Sequence, residues 1–308
     1  MYSQEGTGVT GRPLVYGEVL FDRFAEEGAV LGGAPFNVAW HLQGFGLKPL
    51  FISRIGEDEL GGTVLREMRS WGMDTGGIQR DSRHPTGVVQ VNLEEGEPRF
   101  EILPRQAYDF IQAPAALEYV DGEGLSLMYQ GTLAARHPES RAALKDLTAR
   151  LKLPIFMDVN LRPPWWDKNR VDGCLQAARW VKMNEDELAL LTGLGTTTGA
   201  EDAEKAAAAF LKTKKLAMLV VTLGSRGAFL LQGDRKFRQP AAPVSQVVDS
   251  VGAGDAFSAV CILGLTLGWD PGLTLGRSLE FASRIVEQRG ATGRDPGLYE
   301  NFLERWKI

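Results

Sequence analysis

A chain of 308 residues, 44% apolar and 24% charged, can bury a sizeable core and fits one large α/β domain or two small ones. Its net charge of −5 argues against a nucleic acid or an acidic membrane as the main partner. Cys174 and Cys261 lie far apart in helical patterns, so neither a disulfide framework nor a zinc site is expected, which fits a reducing compartment. Arg12 is the only basic residue before a first apolar run that Glu18 interrupts, so no leader is expected. The longest apolar segment, Ala256 to Trp269, falls short of the ~20 residues that span a bilayer. A cytoplasmic protein is the expectation.

Residues 1–11 are polar and glycine-rich and read as disordered. They contain a formal G-x-G-x-x-G match, Gly6 to Gly11, which no strand precedes and no helix follows. Pro13 to Asp22 reads as a first strand running into Asp22, either a solvated loop residue or a ligand for sugar hydroxyls. In Leu31-Gly-Gly-Ala-Pro-Phe-Asn37, Gly32-Gly33 is a turn and Pro35 suits the first position of a helix, which brings Asn37 near anything lying on the glycines. His41, one turn on, reads as structural. Lys48 to Ile55 predicts a strand and Glu59 to Trp71 its helix. Two extended runs, Thr86 to Leu93 and Arg99 to Leu103, form a hairpin that interrupts the βα rhythm, as decoration or as a lid.

From Leu125 the alternation is regular. Strands are predicted at Leu125–Tyr129, Pro154–Val159, Trp180–Met183 and Ala217–Thr222, and helices at Pro138–Leu151, Lys168–Arg179 and Ala203–Lys212. Asn184-Glu-Asp-Glu187 has the make-up of a helix cap. Leu223 to Phe229 turns into a further strand, and Leu273–Gln288 and Leu298–Lys307 read as helices.

The chain is organised around Val247-Val-Asp-Ser-Val-Gly-Ala-Gly-Asp-Ala-Phe257. Val244 to Val248 reads as a strand leading in, and Ala256 to Leu267 as a buried helix leading out. Glycines allow a tight turn and close approach of a ligand. The unpartnered N–H groups and the dipole of a helix start make a place for an anion, most naturally a phosphate. Asp255 in that first turn is either a cap or a general base. A carboxylate beside an anion nest makes sense as the acceptor of a proton from an alcohol that attacks phosphorus. Strands alternating with helices imply a mostly parallel sheet covered on both faces, with ligands at the carboxyl ends of the strands. Asp22, Asn160, Asn184, Thr222 and Asp249 follow apolar runs and could share one crevice.

Gly32-Gly33-Ala-Pro-Phe-Asn37, Asn184-Glu-Asp-Glu187, Thr222-Leu-Gly-Ser-Arg-Gly227 and Asp249-Ser-Val-Gly-Ala-Gly-Asp255 resemble, in order, the successive motifs of the ribokinase-like sugar kinases, the PfkB family. With Gly17-Glu18…Asp22 and Asp158-Val-Asn-Leu-Arg-Pro-Pro-Trp-Trp166 the chain looks most like bacterial fructokinases. The resemblance implies one domain over residues 12–308, a ribokinase-like α/β fold of about nine strands with lid segments near 20–31 and 84–109. It implies ATP- and Mg²⁺-dependent phosphorylation of a sugar's primary hydroxyl, with fructose first and a nucleoside or keto-deoxy sugar acid as alternatives.

Asp255 would be the base and the amides of Gly252, Ala253 and Gly254 the anion hole, with Arg162 near the transferring phosphate or the sugar. Asp22, Gly33 and Asn37 would hold the sugar. Asn184 and Glu187 would organise phosphate and Mg²⁺ through water. Thr222, Gly224 and Gly227, with Ser283 near the adenine, would line the nucleotide, and Asp249 would mark a monovalent-cation site, often K⁺ in this family. Phe36, where the family has a small residue, is expected to narrow the sugar pocket, and Arg105, Tyr108 and Asp109 to read a substrate group. A lid of exposed strands predicts a homodimer.

Other classes fit less well. A non-catalytic binding protein on this scaffold has no physical need for a carboxylate beside the nest. The third glycine of a dinucleotide fingerprint is absent at Phe257, no Walker sequence occurs, and His41, His84 and His137 have no metal-site or triad spacing.

Overall fold

The computed structural model describes residues 9–24, 28–94, 97–194 and 200–308. Its strands are β1 (Arg12–Tyr16), β2 (Leu20–Phe24), β3 (Gly28–Gly32), β4 (Leu50–Gly56), β5 (Ile78–Asp81), β6 (Gly87–Glu94), β7 (Glu97–Ile102), β8 (Leu125–Gln130), β9 (Ile155–Asp158), β10 (Trp180–Asn184), β11 (Met218–Thr222), β12 (Ala228–Gln232) and β13 (Arg235–Gln239). Among the described residues nine of them form one sheet, ordered β13-β12-β11-β10-β9-β8-β1-β4-β5. It is parallel except where β12 and β13 return antiparallel. The other four form a small sheet ordered β3-β2-β6-β7.

Successive residues of a central strand face opposite layers. Val15, Phe51 and Phe156 pack with Phe36 and Trp40 of the helix Ala34–Gly44 and with Phe257 and Ile262 of the helix Ala253–Leu267. Leu14, Tyr16, Ile52 and Ile155 pack on the other side with Leu144 and Leu147 of the helix Pro138–Leu151. Burial on both faces is why Met218–Thr222 reads as an unbroken apolar run. The chain adds β4 and β5 on one side of β1 and then β8 to β11 on the other, so the strand order reverses between β1 and β8. In such sheets the ligand crevice opens at the carboxyl ends beside that reversal.

The run Pro13–Asp22 is not one strand. The chain leaves the large sheet after Tyr16, turns through Gly17, and Asp22 lies on β2 of the small sheet. Leu14 to Tyr16 of β1 and Leu20 and Phe21 of β2 are alike buried and apolar, so Gly17 and Glu18 are the only sequence marks of the change of sheet. Val244–Val248 is not a strand either: Val247 and Val248 are 60% and 53% exposed in irregular chain. β-Branched residues favour strands only where a pleated neighbour receives them, and the sheet has already ended at β13. That strand, Arg-Lys-Phe-Arg-Gln, is a charged edge strand of the kind that discourages further pairing. The first half of the Gly6–Gly11 match, residues 6–8, lies outside the described residues, as does the 95–96 tip of the predicted hairpin.

Candidate active site

The late helix Ala253–Leu267 begins at Gly252, whose φ of 81° is left-handed and which provides no side-chain cap. A Cβ on Gly252 would lie 2.3 Å from the Ala291 Cβ, so only glycine fits. Of the first-turn N–H groups, Ala253 N–H reaches the Ser250 carbonyl at a long 3.4 Å, and those of Gly254 and Asp255 have no intrahelical or side-chain acceptor. Asp255 stands in that turn, and its Oδ2 accepts a hydrogen bond from Asn37 Nδ2 at 2.7 Å. Burial is the main cause that lifts the Asp255 carboxyl to about 6; the charge of Asp158 adds to it, while the Asn37 bond and the charges of Lys182 and Arg162 oppose it.

Asn37 is delivered by the glycine pair before its helix. Gly33 has φ 108°, and a Cβ there would meet the Glu18 carbonyl oxygen at 2.8 Å. A Cβ on Gly32 would sit 3.8 Å from Asp22 Oδ2 and 3.9 Å from Asn37 Oδ1, so these two side chains flank the same glycine. Burial raises the Asp22 carboxyl to about 6, with the charge of Arg162 pulling it down and that of Asp249 pushing it up. Arg162 is exposed on the loop after β9, and its charge acts on Glu18, Asp22 and Asp255 alike. Asp22, Gly33, Asn37, Arg162 and Asp255 thus share one crevice between the small sheet and the carboxyl ends of the large one.

On the other side of the nest lies a cavity of about 590 Å³ lined by Thr222, Gly224, Gly227, Ser250, Ala253, Gly254 and Ser283, together with Val244 and Val247. Among the described residues no charged side chain lines it, so it suits a flat, neutral base. The exposed valines that failed as a strand form part of its wall. Ser283 Oγ donates to the Ala242 carbonyl at 3.1 Å.

Asn184 and Glu187 form a reciprocal capping box at the helix Glu185–Thr192, both bonds 2.8 Å. The second Glu187 oxygen accepts from Leu161 N–H at 2.7 Å, fastening the loop that carries Arg162. Burial raises the Glu187 pKa, with the Asp158 charge adding to it. Both carboxylate oxygens of Glu187 thus already take backbone N–H groups, which suits contact with a metal ion through water rather than direct ligation. Among the described residues no group of three or more His, Cys, Asp or Glu could hold a metal ion by itself. Asp249 likewise accepts from Val251 N–H and Gly290 N–H, each at 3.0 Å.

Phe36 does not line the crevice: it is 1% exposed and packs between Trp40 and Phe51. A residue beside Asn37 on a helix points about 100° away from it, here into the core. Asp109 and Tyr108 are also buried. Asp109 is bound by both Arg136 Nε (2.7 Å) and Nη2 (2.8 Å), and Arg136 also donates to the Leu103 carbonyl at 2.6 Å. The pair anchors the root of the small sheet, while Arg105 lies over the Phe110 ring. His41 is structural as expected, fully buried between Tyr299 Oη and the Ala291 carbonyl.

Beneath the nest lies a network that only the structure reveals. Lys182 Nζ pairs with Asp158 Oδ2 at 2.8 Å, and Ser258 Oγ donates to the same oxygen at 2.9 Å. Burial pulls the Lys182 pKa down, but the charge and hydrogen bond of Asp158 outweigh it and the net shift is upward. A Cβ on Gly254 would be 3.0 Å from Lys182 Nζ, so the ammonium sits directly under the anion-binding turn. The one sequence sign was an incongruous lysine inside an apolar strand run.

The family model described as pfkB family carbohydrate kinase matches residues 16–296. A fructokinase of Escherichia coli is 31% identical over 265 residues, covering 82% of this chain and 83% of its own. A 2-dehydro-3-deoxygluconokinase of Bacillus subtilis is 28% identical, covering 77% and 75%. Among solved structures, an uncharacterized sugar kinase of Pyrococcus horikoshii in complex with ATP superimposes with a TM-score of 0.78 at 25% identity, covering 95% of this chain and 97% of that one. A fructokinase of Vibrio cholerae, bound to fructose, ADP and calcium, has the same fold at TM-score 0.77 and 24% identity, covering 94% and 98%. With the motif residues assembled around one crevice and the family match spanning nearly the whole chain, this protein belongs to the PfkB family of carbohydrate kinases.

Proposed function

We propose that the protein is an ATP-dependent kinase of a neutral sugar's primary hydroxyl, with fructose the leading acceptor. The carrying observation is the position of Asp255, on Asn37 in the polar crevice on one side and in the turn that lines the base-sized cavity on the other. An alcohol in the crevice gives its proton to Asp255 as its oxygen attacks the terminal phosphorus of ATP, and ADP departs. The N–H groups of the Gly252-Ala253-Gly254 turn take up charge on the transferring group, with Arg162 from above and Lys182 from below. Asn37 fixes the Asp255 carboxylate, and Asp22 accepts from the sugar's hydroxyls. Mg²⁺ on the nucleotide would supply charge neutralisation, with Asn184 and Glu187 the residues to hold it, and Asp249 would hold a monovalent cation.

The charge balance supports a neutral acceptor over a sugar acid. Glu18, Asp22 and Asp255 face Arg162, whereas Arg136 is already neutralised by Asp109. No helix of the described residues is long and apolar enough to cross a membrane, and Cys174 and Cys261 are free thiols, which supports the cytoplasm as the place of work. Phe100 and Val30, 53% and 38% exposed on the small sheet, support pairing of two lids in a homodimer, which light scattering after size exclusion checks.

The test is a coupled ADP-release assay over neutral sugars, sugar acids and nucleosides, with and without K⁺. Folded protein that turns over none of them refutes the reading, and Asp255→Ala should lower kcat by roughly two to four orders of magnitude.

A further inference from the structure

Glu18 is the buried group that the mechanism leaves unused. It follows β1 at the strand reversal, is 3% exposed, and its Oε2 has no hydrogen-bond partner although it is closed off from solvent. Burial raises the Glu18 carboxyl to about 7, with the charge of Arg162 drawing it back toward the ionised form. A buried oxygen without a partner is costly, so a fold that keeps one gains something from it when a ligand arrives. The surroundings point to the acceptor crevice. The Glu18 carbonyl packs on the glycine that introduces Asn37, and the charges reaching its side chain are those of Arg162, Asp255 and Arg136. Asn37 Oδ1 and Tyr129 Oη are buried and unpartnered as well, while the Tyr108 hydroxyl meets the Arg136 guanidinium beside them. The charge of Glu18 is felt at Tyr108, Tyr129 and Arg136, so these groups gather around it. Donors and acceptors mixed in this way match a polyol rather than an apolar ligand.

Resting on the sugar-kinase reading above, we propose that Glu18 is a specificity-determining residue of the acceptor site. Its Oε2 accepts a hydrogen bond from a secondary hydroxyl of a neutral sugar, and its ionised form, which Arg162 favours, excludes acceptors that carry a carboxylate or phosphate. A site built to bond a hydroxyl rejects an analogue lacking it, because its own buried group is left unpaired. A fixed like charge rejects an anion by repulsion. Replacing Glu18 with glutamine keeps the shape, removes the charge and leaves Arg162 free to pair with an anionic substrate.

The experiment compares wild type and Glu18→Gln on fructose, its monodeoxy analogues, 2-dehydro-3-deoxygluconate and fructose 6-phosphate. Thermal melting serves as the folding control and KM for ATP as the internal reference. The expected result is a KM for the neutral sugar roughly tenfold higher in the variant, about 1.4 kcal/mol, with a smaller fall in kcat and little change in KM for ATP. The ratio of kcat/KM for an anionic over the neutral acceptor should rise at least tenfold. Wild type alone gives a second reading that needs no variant: removal of one secondary hydroxyl should cost at least tenfold in kcat/KM. Equal losses on all acceptors, an unchanged anion-to-neutral ratio, or a wild type that tolerates every deoxy analogue overturns the assignment of Glu18 while leaving the kinase reading intact, and a wild type that prefers the acid overturns both that assignment and the neutral-acceptor part of the reading. No turnover of any acceptor by folded wild type overturns both.

Discussion

On the proposed mechanism Asp255 should be required for turnover yet weaken the fold, and Asp255→Asn should separate the two. Burial lifts its carboxyl from 3.8 to about 6. Two pKa units correspond to ~3 kcal/mol of preference for the neutral form. Because Asp255 keeps an edge open to solvent, the penalty of holding it ionised is discounted to about 1–2 kcal/mol. The sign follows from linkage. The folded state binds this proton more tightly than the unfolded state, so the stability it contributes is present at low pH. It is lost as pH rises from the unfolded value through about 6. Asparagine is neutral at every pH and can still accept from Asn37.

At about 2.1 cal/mol/K per residue, the unfolding entropy of 308 residues converts 1–2 kcal/mol into a Tm increase of roughly 2–3 °C. Calorimetry at pH 8 should show that increase, and at pH 4.5 about a third of it should remain. ADP release should fall by roughly two to four orders of magnitude in the same variant. A variant no more stable than wild type at pH 8, or a gain that does not shrink on acidification, refutes the account of Asp255 as a buried carboxylate held ionised at a cost.

Three further outcomes follow. The kcat/KM for the acceptor should drop about tenfold per pH unit below about 6, where Asp255 takes up its proton; a profile flat to pH 5 removes Asp255 as the base. Lys182→Met leaves Asp158, 1% exposed, without its counter-charge and should cost about 3–5 kcal/mol in urea unfolding, part of it recovered by adding Asp158→Asn; a cost below about 1 kcal/mol would show the pair to be well solvated. Phe36→Ala should lower stability by about 3–5 kcal/mol as a core cavity while leaving the ranking of acceptors unchanged, and a changed ranking would return Phe36 to the sugar pocket.

Local sequence was enough for the elements whose signals are local. The alternation of apolar runs and helical patterns specified a parallel sheet, because strands buried on both faces must be apolar throughout. Gly252-Ala-Gly-Asp255 announced an uncapped helix start, since glycine at a left-handed φ is a backbone requirement that no distant contact can replace. Asn184 and Glu187 were legible as a cap for the same reason.

Tertiary structure decided whatever depends on who the neighbour is. Val244 to Val248 has strand residues but no adjacent strand, so it became a cavity wall. Phe36 faces the core because helix geometry turns it away from Asn37. Asp109 is neutralised by Arg136, 27 residues later. Asp158 and Lys182 carry charges whose meaning is fixed by each other across neighbouring strands, and Glu18 one set by Arg162 and Asp255 from elsewhere in the chain. Burial and electrostatic pairing are properties of the assembled fold, and an isolated stretch of chain holds no record of them.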